Sequence, residues 1–389
     1  MKKLATVALA ATMAVSAFAG LVGCGGEDDS KLKVGFIFLH DESSTYDKNF
    51  MDAAEDARKE LGFEQAQFIY KTNVGENDAC YEAAADLVDQ GCDIVFADSF
   101  GHESFILQAA REFPDVEFCH ATGTMAHTEG VANFHNAFAS IYEGRYLAGI
   151  AAGLKMNEMG ETKMGYVGAF PYAEVKSGYT AFYLGAKSVC PDVTMEVRFT
   201  GSWYDETAER STANALMDNG CKLISQHADS MGAPSTCEER GVPNVSYNGS
   251  TVEACPNTYI VSSKINWTPY FLYMIECVEN GEAIAADWTG TLATGSVQLT
   301  EINEKAAAAG TQEAIDEAKA KLEAGTLHVF DTSVFTVGGQ TLTSYLADVD
   351  TDAAYTPDTE AIFDGYFHES EMRSAPYFDI NIDGITVIE

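Results

Sequence analysis

The sequence predicts an α/β protein of two Rossmann-like lobes, each on a parallel sheet, with a ligand cleft between them. Two observations predict it. Short apolar runs of strand length alternate with amphipathic runs of helix length, and the whole alternation occurs twice, about 130 residues apart. Lys33-Val34-Gly35-Phe36-Ile37 is echoed by Lys163-Met164-Gly165-Tyr166-Val167. Asp86 to Val95 is echoed by Ala215 to Ile224, and Ala97-Asp98-Ser99-Phe100-Gly101 by Ala228-Asp229-Ser230-Met231-Gly232.

Within the first copy the pattern assigns a strand at 33–39, a helix near 49–61, a strand at 66–70, a helix near 77–90 and a strand at 93–97. Strands alternating with helices make βαβ units, whose parallel sheet is covered on both faces. In the helix 77–90 the spacing puts Ala79, Ala83, Leu87 and Val88 on one core-facing side. Gly91 supplies the helix stop. Open parallel sheets bind ligands beyond the carboxyl ends of their strands, so two lobes place a site in the cleft between them.

At the N-terminus, Lys2 and Lys3 precede an apolar stretch and then Leu21-Val22-Gly23-Cys24, the order of a bacterial secretory signal ending in a lipobox. Residues 1–23 are therefore expected to be a signal peptide, Cys24 the lipidated first mature residue, and 24–31 a flexible acidic tether. The expected location is extracytoplasmic, with the membrane reached through the lipid anchor alone.

Removing 1–23 takes away Lys2 and Lys3 and leaves 21 basic against 59 acidic residues. Such a surface repels phosphate backbones and argues against nucleic-acid binding. With 46% apolar residues the acidity does not mean disorder. Of nine cysteines, eight remain after Cys24, an even number that allows one or two disulfides in an exported protein, with Cys237 and Cys255 a candidate pair. Several others sit in apolar runs that suit free, core-filling thiols.

The strand-end loops combine aromatics with short polar groups. The ligand-binding candidates are Tyr46, Asp47, Phe50, Ser99, Phe100, Gly101, Phe170, Trp203, Asp229, Asn248 and Trp267. Flat rings sandwich a flat ligand while polar groups satisfy its edge, which suits a purine. Against this, Phe50 and Trp267 also begin helices and could pack into the core, and Asp47 and Asp205 stand where helix caps stand.

Val95 to Gly101, Arg111 to Val116, Ile141-Tyr142-Glu143-Gly144-Arg145-Tyr146-Leu147-Ala148-Gly149, Met164 to Pro171, Gly201-Ser202-Trp203-Tyr204-Asp205 and Asn266-Trp267-Thr268-Pro269-Tyr270 form a specific combination. Together they resemble the basic membrane protein (BMP) family of ABC-transporter solute-binding lipoproteins, which includes purine nucleoside receptors. The likeness runs from about Leu32 to about Phe330. It implies a type I periplasmic-binding-protein fold whose lobes are joined by three crossings and close by hinge motion. On that analogy lobe 1 is 32–136 plus 264–293 and lobe 2 is 137–263 plus 294–389.

The resemblance also implies a purine stacked between Tyr46 or Phe50 and Trp203, delivered to a membrane permease complex by a monomer without cofactor or metal. One departure bears on the ligand. Nucleoside-binding members hold the ribose with a carboxylate near the position of Asn248 and a lysine farther on, where this chain has Asn266-Trp267. The expected ligand is therefore a nucleobase or other flat heterocycle ahead of a nucleoside.

Other readings have less support. No GxSxG, HExxH, GxxxxGK[ST] or GxGxxG motif occurs, so no enzyme is expected. His120 and His127 lack a nearby acidic third ligand. Asp98 and Asp229 end equivalent strands and could form a carboxylate pair across the cleft, with hydrogen bonding to a ligand N–H the simpler role. A receptor reporting to a membrane signalling partner, or a binder of another small solute such as a sugar, is the alternative. The tail from Asp331 reads as a hairpin at 335–342, an acidic surface insertion at 348–360 and a strand near 380–385.

Overall fold

A computed structural model describes residues 31–388; the expected secretory signal, Cys24 and most of the expected tether lie outside the described residues. The first parallel sheet is fed by β1 (Val34–Ile37), α1 (Thr45–Leu61), β2 (Phe68–Lys71), α2 (Asp78–Asp89), β3 (Ile94–Ala97), α3 (Glu103–Glu112), β4 (Glu117–Ala121), α4 (Met125–Glu129) and β5 (Phe134–Ala139). The chain then crosses into α5 (Ile141–Met159), β6 (Lys163–Gly168), α6 (Ala173–Val189), β7 (Thr194–Phe199), α7 (Glu206–Asp218), β8 (Ile224–His227), α8 (Gly232–Arg240), β9 (Asn244–Tyr247) and β10 (Tyr259–Ile265). It returns with α9 (Thr268–Asn280) and β11 (Asp287–Gly290), then crosses once more to β12 (Val297–Leu299) and α10 (Thr311–Glu323).

The first sheet has the order β11-β5-β4-β3-β1-β2, all parallel. The second sheet runs β12-β10-β9-β8-β6-β7 and ends on a late strand, β17 (Ile385–Val387); β12 is its antiparallel member. Because parallel strands are covered on both faces, β1 and β3 are buried along their whole length, as their unbroken apolar sequences require. Between β12 and β17 two short antiparallel pairs form, β13 (Leu346–Ala347) with β14 (Thr359–Glu360) and β15 (Ile362–Phe363) with β16 (Tyr366–Phe367).

Helix α2 begins on an Asn77 cap that accepts from the Ala79 amide, and Gly91 follows its end at φ 80°. Its core stripe differs from the predicted one. Cys80, Ala84 and Leu87 are buried, Ala83 and Val88 flank them, and Ala79 is exposed. Cys80 behaves as an apolar residue, and counting it with the alanines rotates the stripe by one position. The eight cysteines beyond Cys24 are all buried and free, Cys237 and Cys255 included.

Helix α5 is buried on most of its circumference because it is held between the second sheet, α6 and α10. It meets α6 backbone to backbone. A Cβ on Gly149 would stand 2.0 Å from the Phe182 carbonyl, and one on Gly185 would stand 2.0 Å from that of Tyr146.

Candidate functional site

Nine residues from the two lobes line one cavity of about 330 Å³, its mouth included. Leu39, Tyr46, Ser99, Phe100 and Thr122 come from the first lobe, and Glu174, Trp203, His227 and Asp229 from the second. Each follows or ends a parallel strand, or stands in the first turn of the helix after it, where the topology directs ligand contacts. The lobes also touch directly. Thr45 donates its amide to the Asp229 carbonyl at 3.1 Å, His40 stacks 5.1 Å from Tyr204, and Phe100 lies 5.4 Å from Tyr172.

Tyr46 is in the first turn of α1, which Ser44 caps by accepting the Asp47 amide. Its hydroxyl donates to the Asp98 carbonyl at 2.7 Å, and its ring meets Phe50 edge-on at 4.9 Å. The site face of Tyr46 is thereby fixed from behind. Trp203 is held in a comparable way: its carbonyl accepts the Asp229 amide at 2.9 Å, and its indole packs edge-on against Phe170 at 5.2 Å. Phe170 in turn stacks on Tyr172 at 5.2 Å and 17°. Phe170 is thus a support for Trp203 and does not line the cavity.

The polar edge is mainly acidic. Asp229 is 4% exposed; burial raises its pKa well above the usual carboxylate range, with Asp47, Glu209 and Glu174 adding to the rise. Beneath it Glu209, fully buried, accepts the Ser230 amide at 3.2 Å and its carboxyl is pushed up to about 7 by burial. His227 Nε2 lies 3.3 Å from Glu174, while burial lowers the imidazole pKa and favours the neutral ring. Behind it the Arg145 guanidinium stands 3.4 Å over the Tyr247 ring. Glu174 and Asp229 offer acceptors, and neutral His227 can accept or donate.

Four of the predicted site residues have other work. Phe50 and Trp267 are 0% and 1% exposed and stack on each other at 4.4 Å, so both belong to the core that joins α1 to α9. Asp47 is buried beneath its loop, accepting the His40 amide at 2.7 Å and the Ser44 hydroxyl at 2.5 Å. Burial opposes its charge, yet hydrogen bonds from His40 and Ser44 hold its carboxyl below the usual range. Gly101 gives its amide to Glu76 at 2.8 Å, and a Cβ there would sit 2.5 Å from that carboxyl carbon. These loops bury their own polar groups before any solute arrives.

Asn248 adopts φ 66° and is 2% exposed; its side-chain nitrogen has no hydrogen-bond partner among the described residues, and it does not line the cavity. Ser99 and Phe100 do line it, with the Ser99 hydroxyl held by Glu76 at 2.6 Å. Asp98 does not pair with Asp229 across the cleft: it is fully buried and accepts the Leu39 amide at 3.1 Å. Asp205 caps α7 by accepting the Ala208 amide at 2.9 Å. His120 bonds the Ser99 carbonyl, and His127 pairs with Asp287 at 2.7 Å. Four lining residues were not singled out from sequence. Leu39 and Thr122 follow β1 and β4, His227 ends β8, and Glu174 is in the first turn of α6.

A family model for PnrA-like ABC transporter substrate-binding proteins, Bmp, matches residues 34–327. The chain belongs to the Bmp family. It is a substrate-binding protein of the ABC-transporter type, not an enzyme, and such a protein meets its solute outside the cytoplasm. Among the described residues no helix is long and apolar enough to cross a membrane.

Two curated relatives are informative. A purine-binding protein of Brucella abortus is 32% identical over 273 residues, 69% of this chain and 75% of that protein. A Haloferax volcanii protein that carries the name of an ABC transporter glucose-binding protein is 34% identical over 209 residues, 54% of this chain and 52% of that one. Among solved structures, an ABC-transporter solute-binding protein from Conexibacter woesei superposes with a TM-score of 0.64 at 21% identity, over 77% of this chain and 98% of that one. A transcriptional activator from Bacillus halodurans reaches 0.61 at 18%, over 74% and 96%. At these identities the superpositions speak for the type I periplasmic-binding-protein fold alone.

Proposed function

We propose that this Bmp protein captures a purine, a nucleobase ahead of a nucleoside, and hands it to an ABC permease while anchored through lipid on Cys24. The observation that carries the reading is the pairing of Tyr46 and Phe100 in one lobe with Trp203 in the other around a small cavity whose edge is Glu174, His227 and Asp229. Aromatic faces favour a flat ligand. Two carboxyl groups and a neutral imidazole can accept from the N–H donors on a heterocycle's edge.

The small volume of the cavity favours the base over the nucleoside. The relative from Brucella abortus supports a purine; the one from Haloferax volcanii makes a monosaccharide the comparison to beat. The test is Trp203→Ala. It should abolish a purine-induced rise in melting temperature while the unliganded variant still melts cooperatively, and an undiminished rise would refute stacking on Trp203. For the anchor, Cys24→Ser should release the protein from membranes into the medium.

A further inference from the structure

The chain beyond residue 327 lies past the stretch the family model matches, yet it is bonded to both lobes. At the first-lobe end, Asp287 at the start of β11 accepts the Ser374 amide at 2.6 Å and also its hydroxyl; Thr289 donates to the Ser370 carbonyl at 3.4 Å. At the second-lobe end, Asp379 pairs with Lys176 of α6, and β17 adds to β7 with Ile385 opposite Met195 and Val387 opposite Val197. Ile388 donates to the Val197 carbonyl at 2.9 Å and Met195 to that of Gly384 at 3.0 Å.

Only four residues lie between Ser374 and Asp379, so fully extended chain can span no more than about 18 Å between the anchors. The intervening chain is also held along its length. Arg373, at the head of that stretch, donates to the carbonyls of Asp348 at 2.9 Å and Ala375 at 3.2 Å, and Tyr377 and Phe378 are buried. The stretch also flanks the cleft. Arg373, Pro376 and Asp379 face Phe100, Thr122 and Glu174 across an outer hollow of about 790 Å³, and those last three also line the ligand cavity.

We propose that residues 370–388 are a strap, a fourth connection between the lobes placed on the flank of the cleft, that limits how far the cleft opens. The three other crossings, after β5, after β10 and after β11, connect the sheets where the chain passes from one to the other and leave rotation free. A short tether away from that axis must lengthen or detach for Phe100 to part from Tyr172. The inference holds whichever solute the cavity takes.

The test is small-angle scattering of unliganded protein. Asp287→Ala combined with Asp379→Ala, which removes the acceptor of both Ser374 bonds together with the ion pair to Lys176, should enlarge the radius of gyration relative to the wild type, with a cooperative melt retained, because β17 stays paired with β7 and no sheet hydrogen bond is removed. A charge swap, Lys176→Asp with Asp379→Lys, rebuilds the ion pair and should scatter as the wild type does. A wild-type radius in the folded double-alanine variant would overturn the strap. So would an enlarged radius in the charge swap, since the pair would then not be what holds the lobes.

Discussion

The indole of Trp267 lies 4.4 Å from the Phe50 ring at an interplanar angle of 22°, and this pair locks the start of α9 to α1 beneath the cleft. Truncating a fully buried tryptophan removes both its transfer free energy and its packing. Trp267→Ala should therefore cost about 3–5 kcal/mol. Urea or thermal melts would measure the loss; a change below about 1 kcal/mol would mean that the ring is not part of the core. Trp203, half-buried at the cavity, should tolerate alanine with far less loss.

Glu209 makes stability depend on pH. Its carboxyl titrates near the ordinary 4.5 when unfolded and at about 7 in the fold, with burial as the main cause. The folded chain therefore holds the proton more tightly, so this contribution is full below pH 4.5 and is lost as pH rises toward 7. The loss is on the order of 3 kcal/mol. Glu209→Gln keeps an acceptor for the Ser230 amide and removes the titration. Its melting temperature should gain on the wild type between pH 5 and pH 8; a gain that does not grow with pH would contradict the assignment.

At the α5–α6 contact there is no room for a methyl group. Gly149→Ala or Gly185→Ala places Cβ 2.0 Å from a main-chain carbonyl that belongs to the opposite helix, so the helices must separate. Overpacking of this kind typically costs about 1–3 kcal/mol. Chemical denaturation of the two variants checks it, and a neutral result at both would contradict so close an approach.

Much of this was legible in the sequence because periodicity and repetition act at long range. The echo of Asp98-Ser99-Phe100 in Asp229-Ser230-Met231 marks equivalent strand ends, and Ser99, Phe100 and Asp229 all reach the cavity. Sequence does not say on which side of a strand-end loop a ring points. Tyr46 and Phe50 are four apart on α1, yet only Tyr46 reaches the cavity while Phe50 turns into the core. Asp47 was ambiguous for the same reason: cap and ligand acceptor are the same residue type at the same place. Leu39 and Glu174 carry no chemical signature that separates them from neighbours along the chain. The tail was hardest to read, since its short strands and long-range bonds, such as Ser374 to Asp287, leave no periodic trace.

The central claim, a flat purine between Tyr46 and Trp203, is tested most directly by calorimetric titration of the wild-type protein with adenine, guanine, hypoxanthine, their nucleosides and glucose. One-site binding of at least one purine, with no heat from glucose, is the predicted result; saturable binding of glucose with none of any purine would contradict it.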